Sequence, residues 1–272
     1  MDKTIPGILL VTFGVSTERG GQVLVSFAKN VRSAFPGHAV RWAFTSRDAK
    51  RRPALDGLPG MTLPEALACF GGENRSRILV QPLHLTDGHE HAAVRAQVAA
   101  WRETRPETAV ALGSPLLTDA ASARALLGAM QSVAPPGPEE AAVWVAHGSG
   151  GPSPCSSGLP VPSPLPEGLR LCITFGGRAA PPVHIGTLAA GPDAVIDALW
   201  AEGKTRARLL PLFVLAGRHV SHDLNGTHPG SWRSSLESAG IACRTELSGM
   251  LENGVFTAMW LERLREAGAR LP

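Results

Sequence analysis

The sequence predicts an α/β protein made of two similar doubly wound parallel-sheet half-domains with an interdomain cleft. Three observations predict it: strand-like and helix-like segments alternate, the strand-like segments are continuous apolar runs, and one spaced motif recurs in both halves. Residues 4–13 read as a buried strand ending in Gly14, and residues 18–35 carry Val23, Phe27, Val31 and Ala34 at helical spacing. Residues 40–44 form a second short strand, 63–70 a helix, and 78–85 a strand of the kind a two-sided parallel sheet buries. Residues 91–103 resume helical spacing, 109–112 are a strand, and 120–133 are a helix that Pro135-Pro136-Gly137-Pro138 ends. That linker sets the expected boundary, with one half-domain at 1–136 and the other at 137–272.

The second half repeats the scheme. Strands are expected at 141–146, 183–188, 207–215 and 242–247, and helices at 193–202, 232–239 and 254–267. Residues 148–182, which include Pro160, Pro162, Pro164 and Pro166, fit neither pattern and read as an irregular loop. The six tryptophans are mostly core by position.

Composition narrows the function. The 272 residues carry a formal charge of only +3, and no basic run exceeds Lys50-Arg51-Arg52, which argues against a nucleic-acid partner. No apolar stretch reaches the roughly 18 residues that span a bilayer, and Ile8-Leu9-Leu10-Val11 lacks the flanks of a signal peptide, so no membrane partner is expected and the chain reads as cytoplasmic. Cys69, Cys155, Cys172 and Cys243 have no C-x-x-C spacing, so they are expected to be reduced and mostly buried. A homo-oligomer is compatible with this composition.

The halves share a motif. Pro82-Leu83 is followed after four residues by Gly88, and Pro211-Leu212 after four residues by Gly217, which registers Glu90 with His219. The strand running into Gly14 likewise matches the strand running through His147 into Gly148. Phe13 to Glu90 spans 77 residues and His147 to His219 spans 72, as expected of duplicated half-domains. Ligands of open α/β sheets bind beyond the carboxyl ends of the strands, where Glu90, His147 and His219 all fall.

Two imidazoles and a carboxylate suit a divalent ion of the cobalt, nickel, iron or zinc type. The ligand is neutral imidazole, and neutral imidazole is also a competent base near neutrality, so metal delivery and proton removal can share these residues. The bland readings are a structural histidine after a strand and a carboxylate paired with a helix dipole.

The blocks Leu10-Val11-Thr12-Phe13-Gly14-Val15-Ser16, Arg41-Trp42-Ala43-Phe44-Thr45-Ser46, Leu83-His84-Leu85-Thr86-Asp87-Gly88-His89-Glu90, Ala146-His147-Gly148 and Leu215-Ala216-Gly217-Arg218-His219 resemble the anaerobic cobalt chelatases (CbiK-type sirohydrochlorin cobaltochelatases). The resemblance continues through Val220 to Asp223, Gly230-Ser231-Trp232-Arg233, Leu247-Ser248-Gly249 and Glu252-Asn253, and covers the chain except residues 150–182. It implies insertion of Co²⁺ into sirohydrochlorin with loss of two protons, in cobalamin synthesis by early cobalt insertion. It also implies metal ligation by Glu90, His147 and His219, with the two histidines catalytic. Co²⁺ is then a substrate, and no organic cofactor is implied. The anionic tetrapyrrole would be met by guanidinium groups, for which Arg19, Arg51, Arg52 and Arg218 are candidates.

Departures from the family pattern are specific. His91 stands where tyrosine is common, Arg218 where an acid precedes the second histidine, and Ala189 where a glutamate follows the middle strand of the second half; Gly150, Gly151, Pro152 and Pro154 break a stretch that is usually helical. They motivate two alternatives: a non-catalytic tetrapyrrole- or metal-binding protein, and a chelatase using nickel or iron. The added imidazoles His89, His91, His222 and His228 also suggest a secondary metal-loading site. His84 lies in an apolar strand and reads as core or cleft-wall packing.

Overall fold

The structure is a computed structural model that describes residues 5–15, 17–46, 60–73, 75–135, 137–148, 169–171, 174–175, 178–179 and 183–271. Its contacts divide the chain into Met1–Thr118 with Phe256–Pro272, and Asp119–Val255.

The first unit is a four-stranded parallel sheet in the order β2-β1-β3-β4, with β1 Gly7–Thr12, β2 Ala39–Phe44, β3 Arg77–Pro82 and β4 Ala109–Leu112. All six residues of β1 are buried, which is why its sequence shows no polar alternation. On one face, Leu9, Val11, Ala43, Ile78 and Val80 pack against Leu63, Ala66, Leu67 and Phe70 of α2 (Leu63–Gly72) and Val94 and Val98 of α3 (His89–Thr104). Residues that alternate to the other face meet α1 (Glu18–Ala34), where Phe27 and Trp42 lie 6.2 Å apart between ring centroids. Thr17 caps α1 through its hydroxyl on the Gly20 N–H, 3.1 Å, a bond of a kind that contributes ~1 kcal/mol.

The second unit is a five-stranded sheet in the order β11-β10-β5-β9-β6. Its strands are β5 Glu140–Ala146, β6 Leu169–Leu171, β9 Val183–Thr187, β10 Arg206–Pro211 and β11 Ala242–Thr245, and a two-stranded pair joins β7 Thr174–Phe175 to β8 Arg178–Ala179. Four strands run parallel; β6 adds to the edge antiparallel to β9. Reading β5, β9, β10 and β11 as the counterparts of β1 to β4 reproduces the order 2-1-3-4, so the duplication seen in the sequence is also a duplication of topology. The core joins Val143, Val145 and Leu209 to Val195, Ile196 and Leu199 of α5 (Asp193–Ala201) and to Trp232 and Leu236 of α6 (Trp232–Ser238).

The observed division does not follow a single cut at 136/137. Helix α4 (Ala120–Val133) contacts β9 and groups with the second unit. Helix α7 (Gly254–Ala269) lies mostly in the first, where Arg263 donates to the Leu116 carbonyl, Arg270 to the Leu112 carbonyl, and Gly268 faces Leu79. Packing on the sheets, not the proline linker, decides where these helices belong. Of the region expected to be an irregular loop, residues 149–168 lie outside the described residues, and β6, β7 and β8 are short strands that the proline content hid. Trp200 is 56% exposed and Cys69 is also exposed, against their expected burial. Cys155 and Cys172 lie outside the described residues. No helix among the described residues is long and apolar enough to cross a membrane.

Candidate metal and proton-transfer site

His147 follows the last residue of β5, the central strand of its sheet, and His219 opens a six-residue π-helical turn, His219–Leu224, beyond neighbouring β10. The turn is closed by the Asn225 N–H on the Val220 carbonyl, 3.0 Å, a bond spanning five residues. Adjacent parallel strands thus deliver two exposed imidazoles to one sheet end. Their ring centroids lie 4.9 Å apart at 83°, and His219 stacks on Phe213 at 6.1 Å.

Hydrogen bonding orients both rings the same way. His147 Nδ1 lies 3.0 Å from the Gly148 carbonyl oxygen, and His219 Nδ1 lies 2.6 Å from Asp223 Oδ2. A carbonyl and a carboxylate can only accept, so each Nδ1 carries a proton, and in the neutral ring it is Nε2 that offers the lone pair to a metal or a proton. The N–H groups of His222 and His219 hold the Asp223 carboxyl below its ordinary value, against the opposing effect of partial burial. Gly148 has φ +79, and a Cβ there would lie 2.9 Å from Thr187 Cβ and 3.1 Å from Ala189 Cβ. Glycine is therefore required where the strand turns to present His147.

In the first unit, Glu90 is the second residue of α3, where the helix dipole favours a carboxylate. Thr45, just beyond β2, donates its hydroxyl to Glu90 Oε2 at 2.9 Å. His84 Nε2 is 3.9 Å from the same oxygen. Neither ring nitrogen of His84 has a hydrogen-bond partner among the described residues, and burial, with a smaller contribution from His91, lowers its pKa to about 4. His84 therefore stays neutral near pH 7.

The histidine-rich group expected from sequence separates. His91 is only 4% exposed, lies edge-on to His84 at 5.8 Å, and shares the inner face of α3 with Val94 and Val98. It is a core residue, and His89 is exposed on the same helix. His222 and His228 come together with Asp223 in the second unit. Sequence reasoning missed the role of Asp223, although the four-residue spacing from His219 was there to find, and it missed Thr45 as the partner of Glu90. Arg19 and Arg218 are exposed, whereas Arg51 and Arg52 lie outside the described residues.

A family model described as cobalt chelatase (CbiK) matches residues 6–158 and 170–269. The chain is 34% identical over 275 residues to sirohydrochlorin cobaltochelatase CbiKC of Nitratidesulfovibrio vulgaris, covering 100% of this chain and 93% of the relative. It is 27% identical over 269 residues to sirohydrochlorin cobaltochelatase of Salmonella typhimurium, covering 96% and 95%. Among solved structures it is similar to SirB from Bacillus subtilis with Fe³⁺, at TM-score 0.61, 15% identity and 97% and 96% coverage. A Bacillus subtilis SirB complex with cobalt, described as a sirohydrochlorin chelatase, gives TM-score 0.58 at 13% identity and 97% and 95% coverage. At these identities the two structures establish a shared fold.

Proposed function

The chain belongs to the cobalt chelatase (CbiK) family, and from that premise we propose that it inserts Co²⁺ into sirohydrochlorin in cobalamin biosynthesis by early cobalt insertion. The reaction exchanges one Co²⁺ for the two pyrrole N–H protons of the macrocycle, so the protein must offer metal ligands and proton acceptors and needs no organic cofactor.

The observation that carries the reading is the His147–His219 pair. Two imidazoles at 4.9 Å, each with Nδ1 committed as a donor, present two Nε2 lone pairs that hold the ion before insertion and take protons as it leaves. Glu90, steadied by Thr45, supplies the carboxylate that offsets the ion's charge. Phe13, 59% exposed at the end of β1, offers an apolar face to the macrocycle, and the exposed guanidinium groups of Arg19 and Arg218 suit its carboxylates. Ala189 puts a methyl group beside Gly148, where the family resemblance places a glutamate.

The test is anaerobic absorbance of sirohydrochlorin with Co²⁺, Ni²⁺ or Fe²⁺, using wild type, His147→Ala, His219→Ala and Glu90→Ala. Insertion far above the spontaneous rate, fastest with Co²⁺ and collapsing in both histidine variants, is the expected result. Binding of the tetrapyrrole with every ion inserting only at the spontaneous rate would overturn it in favour of a carrier protein, and a preference for another ion would rename the metal.

A further inference from the structure

We infer that His222, Asp223 and His228 form a second divalent-metal site, a loading station one carboxylate away from His219. Each residue offers a ligand atom, and these atoms all lie within 4.8 Å of one another. An ion with bonds of about 2.1 Å sets its ligands roughly 3–4 Å apart, so a small rotation of these solvent-accessible side chains closes the site.

The arrangement is built, not incidental. His228 donates Nε2–H to the His222 carbonyl at 3.0 Å, which leaves its Nδ1 lone pair unprotonated. The two rings lie 4.4 Å apart between centroids, tilted by 34°. That fold-back passes over Gly226, where a Cβ would lie 2.1 Å from the His222 carbonyl oxygen and 2.9 Å from His228 Cδ2. Any larger residue would push the His228 ring off the π-helical turn. His222 Nδ1 donates to Asp223 Oδ1 at 2.8 Å, so an ion displacing that shared proton finds nitrogen and oxygen already at ligand spacing.

The donor set of two imidazoles and one carboxylate suits late first-row divalent ions. Three protein ligands leave coordination positions open, as befits an ion that must move on and not a closed structural site. Asp223 gives the station its place. Its Oδ1 faces His222 while its Oδ2 holds His219 at 2.6 Å, so an ion on Asp223 is already bonded to the group that orients His219. The station's role in supplying cobalt rests on the proposed chelatase activity, but its binding of an ion does not.

The experiment counts Co²⁺ bound per chain by equilibrium dialysis and metal analysis, near neutral pH and without tetrapyrrole. His228→Asn and His222→Gln, which keep amide donors, should each bind one ion fewer than wild type, with circular dichroism confirming the fold. His147→Ala, run alongside, reports on the proposed insertion site alone. A drop in His228→Asn and His222→Gln with no drop in His147→Ala leaves the station standing and counts against the ligand role of His147. An unchanged count in both station variants overturns the second site and leaves a hydrogen-bonded cluster only.

Discussion

Asp223 bonds two histidines at once, accepting from His219 Nδ1 at 2.6 Å through one carboxylate oxygen and from His222 Nδ1 at 2.8 Å through the other. An ionised carboxylate can serve both; an amide presents one oxygen. In Asp223→Asn the two N–H groups compete for that oxygen, and the His219 ring loses the partner that fixes its tautomer. Insertion at saturating Co²⁺ should fall roughly 10- to 100-fold, the scale of losses for such outer partners. The unfolding midpoint should move little, because the Asp223 side chain is 34% exposed. A proportionate loss of stability and activity would mark a structural role instead.

Thr45 stands to Glu90 as Asp223 stands to His219. Thr45→Val keeps the side chain's shape and removes the hydroxyl that donates to Glu90 Oε2 at 2.9 Å. The carboxylate is then free to sample other rotamers, which weakens it in its proposed role as a metal ligand. The expected outcome is a several-fold higher KM for Co²⁺ with the KM for sirohydrochlorin unchanged, read from initial insertion rates at varied metal. Equal changes in both constants would mean that Thr45 shapes the tetrapyrrole site.

What the sequence made legible follows from which interactions are local. Residues 4–13 read as a buried strand because their side chains are apolar without a break from Ile8 to Val11, and all of β1 is buried, while the repeated Pro-Leu-x₄-Gly spacing put Glu90 and His219 at strand ends. The π-helical turn was not legible, since the six residues His219–Leu224 are too few to show periodicity. The partnership of Asp223 with two histidines depends on that turn. His91 read equally as a surface residue or an auxiliary ligand because it directly follows His89 and Glu90 at the start of α3, and only packing beside Val94 shows that it faces inward. The exchange of α4 and α7 between units is a matter of tertiary contacts, which a proline linker does not encode.

His84 makes the fold acid-sensitive. Burial first, and then the neighbouring His91, lowers its pKa from 6.5 to about 4. Between those values the unfolded chain binds the proton and the folded chain does not, so stability rises with pH across that window. Its contribution is therefore complete above 6.5, declines as pH falls, and levels off near 4. At ~1.4 kcal/mol per pH unit this is at most about 3.5 kcal/mol. Urea unfolding of the metal-free protein at stepped pH should show that limb, and His84→Leu should flatten it. An unaltered limb in the variant would assign the acid sensitivity to the carboxylates.

Gly186 tests whether the sheet that presents His147 tolerates displacement. It lies in β9 opposite Val145 of β5, and a Cβ there would sit 2.1 Å from Trp232 Cη2. Trp232 is 2% exposed and belongs to the same core cluster as Val143, Leu209 and Leu236, so moving it disturbs packed neighbours. Gly186→Ala must then either push β9 away from α6 or force the indole off its rotamer, at a cost of about 1–3 kcal/mol. These alternatives differ in consequence. A shifted β9 would carry Thr187, which packs where Gly148 turns, and would misplace His147; a tilted indole would spare it. A lower urea midpoint with lost insertion activity would place the strain in the strand, and a lower midpoint with activity kept would place it in the core beneath α6. An unchanged midpoint would show that the Trp232 contact relaxes without penalty.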